Sequence, residues 1–511
     1  MRIKNHLWIF CLFLCAINLV ACKKDLGNYS YKEVNEGTIS KLEISYTALR
    51  GQRLQIMPEL SFTLDQTNDT TKYSYQWMIT YPATENRKVI ARTLRLDWLV
   101  DLPSADYKFN FSATDKATGL SWSKEMTLKV TSNIGDGWLV MNDINGMARL
   151  DFFNYSPASS NFQYYQDILA IQANLSLKGK PKLVYYCPRR DAFSLVSAKC
   201  IFVASDEESY VINTQNNNFV SPALLGSIFG TYNPAPFYPE RVVSLGGTNR
   251  VVYMLTNKGD LSFEIALYSS PFGTRVNKES NGRQFAISPY FCESYRSDGQ
   301  NYVLMYDTDN KRFMEHKMSN AYATIPVITG QNKLFVPGNM GMDLLYLANT
   351  PALGSQAYAL FKNSQNQVYL ARIVANYSTF SPVAFDQVKT APELVNATQF
   401  AIDPVEGYVM YLVGSKIYRY NPSDQSNTLV LDLGTRKVSL IKYQKLVLTG
   451  SFSDARLTEY SRKLIVCSYD EASPTTSGKM ELYTVPSLNG ALSLYRSFDG
   501  LGKIIDVSYR E

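Results

Sequence analysis

The chain has 511 residues, too many for one ordinary hydrophobic core, so we expect two or more domains. Aromatic residues make up 13% of the chain, including 36 Tyr, and charged residues only 19%, a composition that favours strands. The formal net charge is +6, but no basic block is interleaved with aromatic residues, so nucleic acid is excluded as an expected partner.

An apolar segment at the start of the chain ends in a cysteine. Two basic residues precede the run Leu7–Ala21, which is typical of a secretion signal and shorter than the about 20 residues of a membrane span. Leu19-Val20-Ala21-Cys22 resembles the bacterial lipobox, in which the cysteine sulfur receives a diacylglycerol before the signal is removed. We therefore predict a signal peptide at 1–21, lipid attachment at Cys22 and a lipidated tether at 22–37. An ordinary signal peptide with an incidental cysteine is the alternative.

Two lysines, Lys23 and Lys24, follow the predicted anchor. A charged stretch at this place resembles the surface-export signal of lipoproteins in diderm bacteria that take up glycans. We therefore predict an outer-membrane protein that faces the cell exterior. A flexible tether would carry similar charges, so the orientation towards the inner or outer face stays open.

Residues 38–133 are predicted to form an antiparallel β-sandwich, because short alternating strands are separated by turns about every ten residues. In "YSYQWMIT" (73–80), Tyr73, Tyr75 and Trp77 share one face at a period of two. The other predicted strands are 38–46, 54–60, 106–115 and 120–130.

"YSYQW" and the later "LPSADYKFNFSATDKATGLSWSKEMTLKV" resemble the PKD-like, immunoglobulin-type domain of a family of bacterial lipoproteins. The opening "CKKDLGNYSYKEVNE" and the closing "GLGKIIDVSYRE" resemble that family's ends. The resemblance implies a core tryptophan on a central strand, which Trp77 would supply, and a tyrosine corner. It implies no catalytic residues, because the family has none established. A sugar platform built from Trp77 and Trp98 is the alternative to core packing.

Residues 134–511 repeat a unit of apolar strand, polar turn and apolar strand. The turns centre near residues 145, 207, 258, 309, 365, 415 and 475. Successive turns are thus 50 to 62 residues apart. This spacing is typical of four-stranded blades, so we predict a seven-bladed β-propeller, with two stacked sandwiches or a β-solenoid as alternatives. "GKIIDVSY" (502–509) is expected to pair back towards the first blade. The segment 161–181 breaks the repeat and is expected to be a loop or a short helix.

Few residues of the predicted mature chain point to a metal or cofactor. Its single histidine, His316, is expected at the surface without a role, and no serine-triad, zincin or P-loop motif is present. "DTDN" (307–310) and "SDEES" (205–209) are interpreted as turns rather than calcium ligands. We predict no metal, no cofactor and no catalytic residue. The ligand-binding residues are not identifiable from the sequence.

Two further features leave alternatives open. Cys187 and Cys200 could form a disulfide across neighbouring strands, or they could be buried free thiols like Cys292 and Cys467. Glycoside hydrolysis needs two carboxylates, and the candidates Asp403 and Glu406 in "AIDPVEGY" are interpreted as turn residues.

The all-β organisation and the predicted anchor favour a non-catalytic binding protein, and the resemblance to the lipoprotein family implies a role accessory to glycan or nutrient capture. Its expected partners are the membrane through the lipid, a polysaccharide or oligosaccharide, and an outer-membrane transporter complex. The first alternative is a propeller-type glycoside hydrolase or lyase with a carboxylate pair. The second is a structural envelope protein that assembles with a transporter.

Overall fold

Strands dominate the described chain, as the abundance of Tyr, Val, Ile and Phe predicts. The computed structural model describes residues 33–67, 69–82, 84–102, 105–131, 134–157, 159–190, 197–213, 219–225, 237–244, 251–265, 272–273, 275–293, 301–446, 454–488 and 490–511. The predicted signal peptide, the lipid-bearing Cys22 and the start of the tether lie outside these residues.

The chain divides into two compact units. The first contains the described residues up to Tyr46 with Arg53–Trp98 and Asp106–Leu128, and the second contains Thr47–Gln52, Leu99–Ala105 and Lys129–Glu511. The predicted domain boundary after residue 133 adjoins residues 132–133, which lie outside the described part of the chain.

Nine strands form the sandwich-like sheets near the N-terminus, counted over the described residues. They are β1 (Gly37–Ser40), β2 (Ser45–Leu49), β3 (Arg53–Ile56), β4 (Glu59–Phe62), β5 (Tyr73–Thr80), β6 (Arg87–Ala91), β7 (Leu96–Leu99), β8 (Ala105–Asp115) and β9 (Ser121–Thr131). A five-stranded sheet has the order β2-β9-β8-β5-β6, and β1-β4 and β3-β7 form two-stranded sheets.

The core of these sheets is aromatic. Trp77 on β5 is fully buried, and its ring lies 4.5 Å from that of Phe111 and 5.4 Å from that of Phe109, both on β8. The Trp77 indole Nε1 donates to the Thr93 carbonyl at 3.0 Å, so its polar atom is satisfied. Core packing of Trp77 is therefore confirmed, whereas Trp98 on β7 is only half-buried.

Twenty-six strands of the second unit form seven sheets within the described residues. Sheet A contains β10 (Gly137–Ile144), β11 (Met147–Ser156), β12 (Asn161–Tyr165) and β35 (Lys503–Arg510). Sheet B contains β13 (Pro181–Arg190), β14 (Ser197–Ser205), β15 (Ser209–Asn213) and β16 (Val220–Leu224), and sheet C contains β17 (Pro239–Ser244), β18 (Val251–Thr256) and β19 (Leu261–Ile265). Sheet D contains β20 (Cys292–Glu293), β21 (Tyr302–Asp307) and β22 (Arg312–Lys317).

The remaining sheets follow in chain order. Sheet E contains β23 (Asp343–Thr350), β24 (Gln356–Lys362), β25 (Val368–Asn376) and β26 (Thr379–Gln387). Sheet F contains β27 (Gln399–Ile402), β28 (Val409–Val413), β29 (Lys416–Tyr420) and β30 (Asn427–Asp432). Sheet G contains β31 (Lys437–Tyr443), β32 (Leu464–Tyr469), β33 (Gly478–Thr484) and β34 (Ser493–Leu501). Each of the predicted hairpins is present, and its turn joins two consecutive antiparallel strands of one sheet.

Neighbouring sheets share hydrophobic clusters, because alternate residues of a strand enter clusters on opposite faces. On β21, Val303 packs with residues of sheet C, whereas Leu304 packs with residues of sheet E. Clusters of the same kind join sheets A and B, B and C, E and F, and F and G. A further cluster joins sheet G to sheet A, so the packing order of the described sheets is cyclic.

The last strand of the chain completes the first sheet of this unit. β35 pairs antiparallel with β10, from Arg510 opposite Gly137 to Lys503 opposite Asp143. The predicted return of 502–509 to the first repeat is therefore confirmed. Ile504, Val507 and Tyr509 of β35 are fully buried in the cluster between sheets G and A.

Helices are short and lie between strands. They are α1 (Ile168–Ala173), α2 (Ala352–Ser355) and α3 (Ala455–Ser461), with 3-10 turns at Thr70–Lys72 and Pro392–Asn396. The segment 161–181, expected to be a loop or a short helix, contains the edge strand β12 as well as α1, so that expectation was incomplete. Among the described residues, every helix is too short or too polar to cross a bilayer.

Candidate functional site

One cavity of about 330 Å³ is lined by an edge strand of every sheet in the second unit. The strands are β13, β17, β20, β23, β27, β31 and β35, and each lies at the edge of its own sheet. The volume is at the lower end of the about 300 to 1,000 Å³ that small-ligand pockets occupy. We call this space the channel.

Charged side chains of both signs line the channel. They are Lys182, Glu240, Arg241, Glu293, Lys442, Lys445 and Asp506. Both signs are therefore represented, and the residues do not form a patch of one charge. The arrangement provides both donors and acceptors to a polar ligand.

β-bulges place several of these side chains. Lys182 is the extra residue of a bulge in β13, Glu240 that of a bulge in β17, and Ile505 that of a bulge in β35. A bulge leaves one residue unpaired and changes the direction of its neighbours. In β35 the bulge interrupts the alternation, so Asp506 lines the channel while Ile504 and Val507 stay in the core.

The ion pair of Glu293 and Lys445 connects two sheets that are not neighbours in the cyclic order, D and G. The Lys445 Nζ lies 2.7 Å from Oε1 of Glu293, whose side chain is only 3% exposed. Burial by itself would raise the pKa of Glu293, but the charge and the hydrogen bond of Lys445 keep that pKa below its usual value. Glu293 is therefore an ionised acceptor in a nearly dry environment.

A second ion pair joins three sheets. Lys442 on β31 donates to Oδ1 of Asp506 at 2.9 Å, and the backbone N–H of Val184 on β13 donates to Oδ2 at 3.1 Å. Lys442 also donates to the Val507 carbonyl at 2.7 Å. Asp506 thus bonds its own sheet A to sheets G and B, a structural use of a carboxylate at the channel wall.

Two tyrosines of the channel, Tyr346 and Tyr443, are half-buried and make contacts of their own. The ring of Tyr346 lies 4.9 Å from that of Tyr290 and 5.5 Å from that of Phe400, and burial raises the pKa of Tyr346 to about 12. Tyr443 donates to Oδ2 of Asp403 at 2.9 Å, and burial followed by the charge of Asp403 raises its pKa well above the usual value.

The predicted turn residues have the roles expected of turns. Asp403 Oδ1 accepts from the backbone N–H groups of Val405 and Glu406, as an Asx turn requires. Asp307 in "DTDN" accepts from the N–H groups of Asp309 and Asn310 in the same way. Among the described residues, no three His, Cys, Asp or Glu side chains lie close enough together for a metal ion.

His316 was expected at the surface, and this prediction is wrong. Its side chain is fully buried on β22, where Nδ1 lies 2.7 Å from the Tyr253 hydroxyl and Nε2 lies 2.9 Å from the Asn320 carbonyl. Burial lowers its pKa to about 4. The error arose because His316 lies on the short strand β22, just after the turn at 307–310. So few residues gave no indication that both faces of this strand are buried.

Cys187 and Cys200 lie directly opposite each other on β13 and β14 and are buried. Neither forms a disulfide, and the buried Cys292 and Cys467 form none either. Of the two alternatives that the sequence left open, the structure therefore has the buried thiols.

The sequence did not identify any of the seven charged channel residues as a site. Except for Lys445 and Asp506, they share one signal, a charged residue inside an apolar strand upstream of a hairpin, as in "YFCESY" around Glu293. This signal is weak, because it also fits edge strands that place a charge in water.

The N-terminal region and the complete fold each have relatives. Residues 22–181 match the model of the PKD-like family. The predicted PKD-like resemblance is thereby confirmed for just under a third of the chain. No curated protein matches.

Several solved structures resemble this chain. A quinonprotein alcohol dehydrogenase-like protein from Bacteroides thetaiotaomicron has a TM-score of 0.52 at 13% identity, covering 91% of this chain and 96% of that one. Proposed 6-phosphogluconolactonases from Bacteroides fragilis (TM-score 0.42, 12% identity, 74% of this chain and 99% of that one) and Bacteroides uniformis (0.41, 12%, 73% and 99%) are also similar. The first of these similarities establishes an all-β, propeller-like fold for this chain, and at this identity it indicates nothing about activity.

Proposed function

We propose that this PKD-like chain is a lipid-anchored binding protein of the bacterial outer membrane that receives a glycan in the channel of a closed, seven-bladed β-propeller. The observation that carries the proposal is the channel itself, to which every sheet of the second unit contributes one edge strand. The cyclic packing of the sheets and the pairing of β35 with β10 support closure. A closed ring leaves no long sheet edge exposed, which suits an exported all-β protein.

The chemistry of the channel favours carbohydrate. Sugar hydroxyls both donate and accept hydrogen bonds, and the channel wall offers ammonium, guanidinium and carboxylate groups. Polar groups of fixed geometry recognise hydroxyls more selectively than an apolar pocket does, because a mismatched ligand leaves them unpaired.

Binding without catalysis is supported by the state of two carboxylates. Glu293 and Asp506 each accept a lysine at less than 3 Å, and Asp506 is also bonded to backbone groups. Carboxylates that stabilise the wall in this way do not transfer protons readily, because protonation would break these contacts.

A glycoside hydrolase is the second candidate, and one observation favours it. Partial burial raises the pKa of Glu240, although Lys182 opposes the rise, whereas the pKa of Glu293 is lowered in the same channel. Two carboxyl groups in one site whose pKa values are shifted in opposite directions are the pattern that glycosidases use.

A polysaccharide panel tests both candidates. The full exported chain, purified in detergent, is assayed for retention of each glycan and for release of reducing ends. Retention without product supports the binding protein. Product release that Glu240→Gln abolishes would replace it with the hydrolase, and neither result, with co-purification of an outer-membrane channel protein, would favour a structural partner of a transporter.

The anchor has its own test. Cys22→Ala should move the protein from the membrane fraction to the soluble fraction or leave it unprocessed, and it should abolish labelling by a radioactive fatty acid. Protease treatment of intact cells should degrade the wild-type protein if it faces outward. A variant that remains processed and membrane-bound would contradict the proposed lipid attachment.

A further inference from the structure

Arg241 differs from Lys442 and Lys445, the two channel cations that form ion pairs. Its guanidinium stacks on the ring of Phe291, 5.3 Å from the centroid. Within the described residues it has no carboxylate at salt-bridge distance, and its buried Nε has no hydrogen-bond acceptor. A guanidinium presents a planar set of donors that matches a carboxylate, so an uncompensated one in a cavity indicates a site for an anionic group.

The Glu293 carboxylate offers the complementary hydrogen-bond acceptor. Its Oε1 accepts from Lys445, but its buried Oε2 has no partner among the described residues. The positive charge of Arg241 acts on this carboxylate, so the two groups lie near each other on the channel wall. One unpaired donor and one unpaired acceptor therefore belong to residues that line the same cavity.

The charge of the wall decides between ligand classes. The channel is lined by four cationic residues, Lys182, Arg241, Lys442 and Lys445, and by three acidic residues, Glu240, Glu293 and Asp506. The wall thus has a formal surplus of one positive charge. A ligand with one negative charge would compensate this surplus, whereas a neutral sugar would leave the Arg241 charge unpaired in a poorly solvated site.

We propose that Arg241 and Glu293 form a subsite for a uronic acid, in which the sugar carboxylate binds the Arg241 guanidinium and a neighbouring hydroxyl donates to Oε2 of Glu293. The inference rests on the proposal that the channel receives a glycan, and it specifies which sugars the channel selects. In a uronic acid the carbon next to the carboxylate-bearing C5 carries O4, which is a hydroxyl on the non-reducing terminal residue of a 4-linked glycan, so that terminal residue can contact both groups at once.

Calorimetric titration of the full exported chain with tri-galacturonate and with a neutral galactose trimer tests this subsite. The two trimers differ by the oxidation of C6 and share their ring hydroxyls. We expect the acidic trimer to bind at least tenfold more tightly, and Arg241→Gln to weaken its binding roughly 10- to 100-fold while leaving the neutral trimer nearly unaffected. Arg241→Lys should recover part of the affinity, because it restores the charge without the planar set of donors.

Arg496→Gln is the matched control, because Arg496 also stacks on a phenylalanine, 5.2 Å from the Phe162 ring centroid, but lies outside the channel lining. It should leave both affinities unchanged. Arg241→Gln should keep the wild-type melting temperature, since Arg241 has no hydrogen bond to lose among the described residues.

Three results would overturn the subsite. The first is equal affinity for the acidic and the neutral trimer. The second is undiminished binding of the acidic trimer by a folded Arg241→Gln variant. The third is retention of neutral glycans alone, which would leave the proposed glycan-binding function standing and remove only the preference for uronic acids. Failure to retain any glycan would overturn the proposed function together with the subsite.

Discussion

The Nζ of Lys442 lies 2.9 Å from Oδ1 of Asp506, and this ion pair bonds sheet G to the C-terminal strand of sheet A. The Lys442 and Asp506 side chains are 31% and 19% exposed, so the pair is intermediate between surface and core. We expect Asp506→Asn to lower the free energy of unfolding by about 2 kcal/mol, between the about 1 kcal/mol of exposed pairs and the about 3 to 5 kcal/mol of buried ones. Urea unfolding followed by circular dichroism measures the change.

Asp499→Asn is the control for this prediction. Asp499 on β34 pairs with Lys479 on β33 at 3.2 Å, within sheet G, but both side chains are about half exposed. Its replacement should cost less than about 0.5 kcal/mol. Equal losses for the two variants would show that the contact of Lys442 with Asp506 does not join the sheets as described.

Removal of residues 503–511 should abolish cooperative folding of the second unit. β35 pairs along the whole of β10 and supplies three fully buried side chains to the cluster between sheets G and A. Without it, the edge of β10 and the apolar faces of both sheets would contact water. Size-exclusion chromatography should show aggregates, and thermal melting should lose its main transition.

Removal of Glu511 alone leaves β35 complete and is the control for the truncation. It should remain monodisperse with a nearly unchanged melting temperature, because the loss is limited to its contacts, such as the bond from the Tyr186 hydroxyl to the Glu511 carbonyl. A folded, monodisperse 1–502 chain would argue against the closed propeller.

Hairpins were predictable from the sequence because both of their strands are local and their turns are polar. The strand 73–80 was predicted with its observed bounds, since alternation of Tyr73, Tyr75 and Trp77 makes its buried face visible. The predicted strand 38–46 is in fact two strands, because Lys41 takes a positive φ of 57° and ends the first one. β6 and β7 were missed, because β6 has no fully buried residue and β7 is only four residues long, with Leu96 as its one buried side chain.

The channel was less predictable than the fold, because its residues meet only through pairing between distant parts of the chain. Glu293 and Lys445 are separated by 152 positions, and no local pattern relates them. A β-bulge places Asp506 in the wall, and a single sequence does not reveal bulges. The charged residues within apolar strands could therefore be identified from the sequence, but the sequence did not reveal that they meet in one channel.

Trp77→Ala should lower the free energy of unfolding of the N-terminal sandwich by about 4 kcal/mol, through lost burial and the cavity that remains. The loss includes the ring contacts to Phe109 and Phe111 and the hydrogen bond to Thr93. Urea unfolding measured by far-ultraviolet circular dichroism checks the value. Trp98→Ala, at a half-buried position, should cost less than about 2 kcal/mol. The opposite ranking would contradict core packing of Trp77.

Acid should destabilise the second unit through His316. The Asn320 carbonyl can only accept, so Nε2 carries the proton and donates, while Nδ1 accepts from the Tyr253 hydroxyl. The neutral ring is thus satisfied and buried, and protonation of Nδ1 would disrupt its bond to Tyr253. Burial therefore lowers the pKa of His316 in the folded chain from 6.5 to about 4.

The direction of the pH effect follows from proton uptake. Above pH 6.5 the ring is neutral in both states and contributes no pH dependence. Between about pH 6.5 and pH 4 only the unfolded chain binds the proton, so stability falls as the pH falls, by about 3 kcal/mol in total. Urea unfolding of wild type and His316→Gln across this range should give curves whose separation changes by that amount, because the carboxylates common to both chains cancel. Parallel curves would mean that His316 is protonated equally easily in the folded and unfolded chain, which contradicts its burial against Tyr253.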